Sequence, residues 1–175
     1  FVGATHGLEW LTCSLLIRFA EDFGAAWASG GELAEICLPR VMAGRGLVIV
    51  PLLNPDGVNI ALYGPESAGS LARSVERMQA EYPDKGWQAN ARGVDLNHNF
   101  DAGWQEIRAM EIEAGFVSPG PTRYGGPFPH SEPETQAVLH MMAAFSPRRL
   151  YSFHSQGEEI FWEYGGIPVP GSETI

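Results

Sequence analysis

An unbroken apolar run, Gly46-Leu47-Val48-Ile49-Val50-Pro51-Leu52-Leu53, constrains this chain more than any other stretch. Alternation of apolar and polar residues would mark a strand wetted on one face, whereas continuous hydrophobicity suits a strand covered on both. Asn54-Pro55-Asp56-Gly57 follows at once and supplies turn chemistry, with Pro presetting φ and Gly accepting a positive φ. The chain is therefore expected to turn sharply at that strand's carboxyl end. Phe1-Val2-Gly3-Ala4 reads as the end of a second strand, and Leu150-Tyr151-Ser152-Phe153-His154 as a third, aromatic and alternating, that ends on a histidine.

Helical patterns lie between the strands. Leu8, Leu11, Leu15, Phe19 and Phe23 recur at three- and four-residue steps, which predicts an amphipathic helix over 8–27. Glu32 to Leu38 is expected to add another turn or two, and Ser67 to Tyr82 is helix-compatible. Ser131-Glu132-Pro133-Glu134 reads as a capping box, with Ser131 as the cap and Glu134 reaching back, ahead of a helix to about Phe145. Lys85 to Trp104 is polar, Asn-rich and irregular, the profile of a functional loop. Strands alternating with helices predict an α/β fold whose ligands gather beyond strand carboxyl ends.

Composition removes several function classes. Eleven Lys and Arg against 21 Asp and Glu give a net charge of -10, a field that repels phosphate backbones, so no nucleic-acid partner is expected. The longest apolar runs fall far short of the roughly 20 residues needed to cross a bilayer. Cys13 and Cys37 are the only cysteines; both sit in helix-like patterns and are expected to be buried free thiols. Few cysteines and no recognisable leader make the cytoplasm the expected location. The chain opens directly on strand-like residues without an initiating Met and closes on the Gly/Pro-rich stretch 165–171, so it is expected to be one domain, 1–175, cut at both ends.

His6 and Glu9 stand three apart where the opening strand gives way to its helix, so one helical turn can aim both the same way. An imidazole and a carboxylate make half of a zinc site, which needs a third protein ligand and leaves the fourth position open. Of the histidines His6, His98, His130, His140 and His154, only the first and last sit at expected strand ends. His154 is the natural third donor. Taken alone, each of these residues has a plainer reading: a carboxylate stabilising a helix start, and a hydrogen-bonded strand-end histidine.

Four ordered motifs, GATHGLEW, NPDG, GVDLNHNF and YSFHSQ, then give the chain its context. Together they resemble the zinc carboxypeptidase family, marked by a His-x-x-Glu after a strand, an Asn-Pro-Asp-Gly turn, a Gly-Val-Asp-Leu-Asn-Arg-Asn-Phe loop and a distant strand-end His. The resemblance spans essentially the whole chain. It implies an α/β fold with a mixed central sheet and helices on both faces, here incomplete. It also implies one zinc ion held by His6, Glu9 and His154, and hydrolysis of a peptide or amide bond in a peptide substrate.

Two positions depart from the family pattern. An Arg usually follows the Asn of the loop and grips the substrate's terminal carboxylate with its planar fork; here Asn97 is followed by His98. Nine residues before Asn97 the family places a cation that steadies the oxyanion, and here Gln88 stands there. Arg92 lies close enough in sequence to compensate, although a solvated loop arginine is the simpler reading. Asn97, His98, Gln88 and Arg92 are thus the expected substrate-binding residues.

Loss of the fork points away from C-terminal exopeptidases and towards the bacterial γ-D-glutamyl-diamino acid peptidases that trim peptidoglycan stem peptides. Their stretches resemble 101–104, 119–127, 131–134 and 154–162 of this chain. The family's general base, a Glu, lies well beyond the third zinc ligand, so it is expected past residue 175; Glu158, Glu159 and Glu163 are expected only to shape the pocket. The alternatives are a C-terminal metallocarboxypeptidase, or a zinc- or peptide-binding module that has lost hydrolysis.

Overall fold

The computed structural model describes residues 1–161; Glu163 and the stretch 165–171 lie outside the described residues. A single 3-10 turn, Gly7–Glu9, leads into the long helix α1, Leu11–Ala28. Thr12 fixes the junction: its Oγ1 accepts the Ala4 N–H at 2.7 Å and donates to the Glu9 carbonyl at 2.8 Å. The buried face of α1 is not the one its periodicity suggested. Thr12 and Leu16 are buried, whereas Leu11 and Leu15 are exposed; Phe19 instead packs against Phe1, ring centroids 5.5 Å apart.

The stretch expected to continue as helix is a hairpin, β1 (Glu32–Leu33) paired antiparallel with β2 (Ile36–Cys37). Ala34 and Glu35 both hold positive φ, 48° and 64°, the conformation a two-residue hairpin loop demands. A one-turn helix, α2 (Leu38–Val41), follows. Cys37 therefore lies on an exposed strand and Cys13 is only half-buried, which corrects the expectation of two buried helical thiols.

The α/β class stands, but the mixed central sheet is not confirmed, since the only regular sheet among the described residues is that hairpin. The three segments read as strands do lie side by side in parallel, with Val2 bridging Val50 on one flank and Ser152 on the other. Pairing on the first flank slips by one residue after Val50: Leu53, not Leu52, donates to the Gly3 carbonyl, and Asn54 N–H then donates to the Ala4 carbonyl. The apolar run is not buried on both faces: 47–51 are half-buried, Leu52 is exposed, and only Leu53 is buried. Val2, Leu53, Leu96 and Val138 form one core cluster over these segments, each side chain worth about 1.5–3 kcal/mol of hydrophobic burial.

Asn-Pro-Asp-Gly starts a helix, α3 (Pro55–Tyr63). Asn54 is its N-cap, Oδ1 accepting the Gly57 N–H at 2.8 Å, and Pro55 fills the first position, where a missing N–H costs nothing. A 3-10 segment, Pro65–Leu71, then leads to α4 (Ala72–Glu81). Ile60 and Val75 close a second core cluster over Trp87, Ala89 and Ala91, so the irregular loop is anchored from beneath.

The sequence reading passed over α5 (Trp104–Glu113), which begins behind a left-handed Gly103. α6 (Pro133–Phe145) ends close to expectation, but its start is not a capping box. Glu132 occupies the cap position without a side-chain cap bond. Ser131 Oγ is committed to Glu132 Oε1 and to Asn99 Nδ2, while Glu134 faces Asn90. Two buried asparagines claim the groups that would have closed the box. No helix among the described residues is long and apolar enough to cross a membrane.

Candidate metal centre

Asn54 sets the floor of the site. Its Nδ2 lies 3.1 Å from the Thr5 carbonyl, 3.2 Å from that of Gln88 and 3.1 Å from that of Ala89, so one buried side chain joins the opening segment, the start of α3 and the irregular loop. The backbones meet closely there. A Cβ at Gly7 would fall 2.3 Å from the Gly57 carbonyl oxygen, and one at Gly57 would fall 2.4 Å from that of Ala89; only glycine fits at either position.

On that floor the 3-10 turn carries Glu9 back towards His6. Glu9, 1% exposed, presents Oε2 to two imidazoles: His6 Nδ1 at 3.1 Å and His154 Nδ1 at 2.8 Å. The donor atoms of the three residues all lie within 4.8 Å of one another, and the two rings are 4.8 Å apart between centroids. His154 reaches the cluster because its segment pairs with Val2.

Asp95 completes the arrangement, and the sequence reading did not single it out. Its Oδ1 stands 3.3 Å from His6 Nε2, and it accepts the backbone N–H of Asn97 at 3.2 Å and of Arg123 at 2.8 Å. A carboxylate on the far nitrogen of a metal-ligating imidazole fixes the ring and its tautomer. That rule, applied to the acidic residue of the GVDLNHNF loop, is the signal that could have found it.

The charges follow the geometry. Burial pushes the His6 pKa down, but the carboxylates of Asp95 and Glu9 outweigh it and hold the value up at about 9. Burial pushes Glu9 up, yet hydrogen bonds from His154 and His6 bring it down to about 2. Asp95 moves below the usual carboxylate range: burial opposes this, and the His6 hydrogen bond, the charges of His98 and His6, and the Arg123 N–H prevail. Two imidazole nitrogens and one carboxylate oxygen, already converged and braced from behind, fit the three-ligand set of an open zinc site.

The remaining expected residues are distributed around this cluster. Gln88 Oε1 accepts from the Thr122 hydroxyl, and its Nε2 lies 3.3 Å from Gln156 Oε1. Asn97 is exposed. His98 is partly buried and directs Nδ1 to Glu111. Arg92 extends into solvent with Nε 3.6 Å from Glu132 Oε2, so it pairs with the start of α6 as a largely solvated arginine. Glu158 and Glu159 are exposed. Thr122 and Glu111 were missed, since only the folded chain brings them beside Gln88 and His98.

Comparison with known proteins identifies the family. The family model for zinc carboxypeptidase matches residues 1–173. The uncharacterized protein YqgT of Bacillus subtilis (strain 168) is 32% identical over 171 residues, covering 97% of this chain and 44% of that protein. Gamma-D-glutamyl-L-diamino acid endopeptidase 1 of Lysinibacillus sphaericus is 30% identical over 171 residues, 97% of this chain and 42% of that protein. Mast cell carboxypeptidase A of Rattus norvegicus is 30% identical over 162 residues, 91% of this chain and 34% of that protein. The chain thus spans less than half the length of these curated relatives. No solved structure matches. Motif order, the convergence of His6, Glu9 and His154, and a family match along nearly the whole chain lead to one conclusion: the chain belongs to the zinc carboxypeptidase family of metallopeptidases.

Proposed function

We propose that this chain is the metal-holding part of a zinc-dependent peptidase that cuts γ-D-glutamyl-diamino acid bonds of peptidoglycan stem peptides, with His6, Glu9 and His154 as the ligands of one zinc ion. The observation that carries this reading is the single carboxylate oxygen of Glu9 shared by two imidazoles that are 148 positions apart in the chain, each within 3.1 Å of it. When bound, zinc polarises the scissile carbonyl and makes a water acidic enough to attack near neutral pH.

The chain's own residues do the rest. Asp95 Oδ1 stands 3.3 Å behind His6 Nε2, where it would hold that nitrogen's proton once Nδ1 gave its lone pair to a metal. Thr122 occupies the amide oxygen of Gln88 and Gln156 Oε1 takes one Nε2 hydrogen, so the second Nε2 hydrogen is the one left to donate to a developing oxyanion. That donor is neutral and supplies less stabilisation than a cation would. His98 offers one ring nitrogen where the family usually has a two-pronged guanidinium, and Asn97 stands exposed beside it. We assign the general base to a glutamate beyond residue 175.

The substrate class is supported by the relative named as a γ-D-glutamyl-L-diamino acid endopeptidase, by the absence of the carboxylate fork at His98, and by a net charge of -10 that draws amine-bearing ligands. Elemental analysis and turnover of an L-Ala-γ-D-Glu-diaminopimelate peptide by the protein as encoded test it. One zinc per chain and cleavage before the diaminopimelate are expected. Zinc binding with release of C-terminal residues from α-peptides instead would assign the chain to the carboxypeptidase branch, and zinc binding with no cleavage of either would make it a binding module.

A further inference from the structure

The polar cluster behind His98 is absorbed by none of these roles. On α5, Trp104, Arg108 and Glu111 are spaced four and three apart and form one stripe, which faces the loop 116–125 and carries hydrogen-bonding groups where an apolar seam would be ordinary. Trp104 Nε1 donates to the Gly125 carbonyl at 2.9 Å. Arg108 donates to the carbonyls of Phe116 at 2.6 Å and Val117 at 2.9 Å, and lies 4.8 Å over the Tyr124 ring. Glu111, 4% exposed, sits at the end of the stripe, with Arg108 3.5 Å and the Gly125 N–H 3.4 Å from Oε2. Its tightest partner is His98 Nδ1 on Oε1.

A buried carboxylate accepts and cannot donate, so in this contact the hydrogen resides on Nδ1. His98 Nε2 has no hydrogen-bond partner among the described residues, and the side chain is 27% exposed. Backbone bonds hold the loop on the other side: Asp95 N–H to the Tyr124 carbonyl at 2.8 Å ties the same stretch to the carboxylate behind His6.

We propose that Glu111 is a positioning residue: braced by Arg108, it locks His98 in the Nδ1–H form, so that Nε2 is the one ring atom offered to substrate. This rests on the reading that His98 meets the peptide. Anchoring is then single-point and dictated from behind, and a residue on α5 becomes a determinant of substrate affinity without touching substrate.

Ring-nitrogen NMR of histidine in the full protein tests the lock without metal or substrate. The wild type is expected to show His98 protonated at Nδ1, and Glu111→Gln to move it to the Nε2–H form, because Arg108 and the Gly125 N–H keep the amide oxygen on their side and turn the NH2 to donate to Nδ1. An Nε2–H ring in the wild type, or a ring unmoved by Glu111→Gln, would overturn the proposal whether or not any variant is active. For the stem peptide on the zinc-loaded protein, Glu111→Gln should raise KM about 10-fold, the loss expected for one hydrogen bond to a charged group, with kcat within about twofold. In a His98→Ala background the same substitution should leave KM unchanged. An equal rise in both backgrounds would show that Glu111 acts only on the fold. A wild-type protein that neither binds nor cuts the peptide would refute the proposed function and the substrate role of His98, while the ring spectrum would still decide whether Glu111 holds the tautomer.

Discussion

The front and back of the metal centre are built differently. His6 and Glu9 stand on a tight turn locked by Thr12, floored by Asn54 and backed by Asp95, and are 9% and 1% exposed. His154 comes on a segment held by a parallel bridge at Ser152 and by backbone bonds at Tyr151 and Phe153, with neighbours Tyr151, Ser155 and Gln156 exposed. Two donors are part of the core and the third is delivered to them. Such a division lets the buried pair be set by folding while the last ligand depends on the pairing of a peripheral segment.

The sharpest way to break this comparison is to remove one donor from each side. His6→Ala and His154→Ala should each lower zinc affinity by roughly 10³-fold or more, because each takes away one of three ligands; His140→Ala, on the exposed side of α6, should leave it unchanged. Competitive chelator titration reads all three. The same variants should separate in the metal-free state. His6→Ala leaves the buried carboxylates of Glu9 and Asp95 short of a partner and should cost about 3–5 kcal/mol, whereas His154→Ala, at a partly open ring, should cost well under half as much. Equal losses in urea denaturation would show that the two sides are not built differently.

Smaller effects sharpen the picture. Asp95→Asn should reduce zinc affinity about 10- to 100-fold, the usual consequence of losing the carboxylate behind a ligating imidazole, while sparing most of the fold. The pH response of the metal-free protein is smaller still. His6 has a raised pKa, so its contribution is complete below 6.5 and is lost as pH rises through about 9. Glu9 has a lowered pKa, so its contribution is complete above 4.5 and is lost as pH falls through about 2. Maximal stability is therefore expected between pH 4.5 and 6.5. Denaturant midpoints across pH 3 to 10 would show it, and a midpoint that still rises beyond pH 7 would contradict the pairing at His6.

Much of the site was legible because its chemistry is local or tied to a motif. A His and Glu three apart at a strand-helix junction, and a histidine closing a distant aromatic strand, nominate the donors only when the four ordered motifs are read together. Asp95, Thr122 and Glu111 were not legible, since each acts on a partner that only folding brings near. The fold was read less well where one set of residues serves two structures. Asn-Pro-Asp-Gly makes a turn or starts a helix, since Asn before Pro suits the opening of either, and the helix prevailed, with the Asn54 side chain accepting the Gly57 N–H as a cap. Ser-x-x-Glu failed as a cap because Asn90 and Asn99, far off in sequence, drew its groups away. An apolar run implied a fully covered strand, but coverage depends on what packs against it, and among the described residues that packing is partial.

Asn54 carries one more implication, for the ageing of the protein. Asparagine decays in water chiefly when the backbone nitrogen of the next residue attacks the side-chain amide, and Pro55 has no N–H with which to begin that ring closure. The product would have set a negative oxygen against the carbonyls of Thr5, Gln88 and Ala89. The proline that opens α3 thus also guards the floor of the metal centre against slow chemical damage.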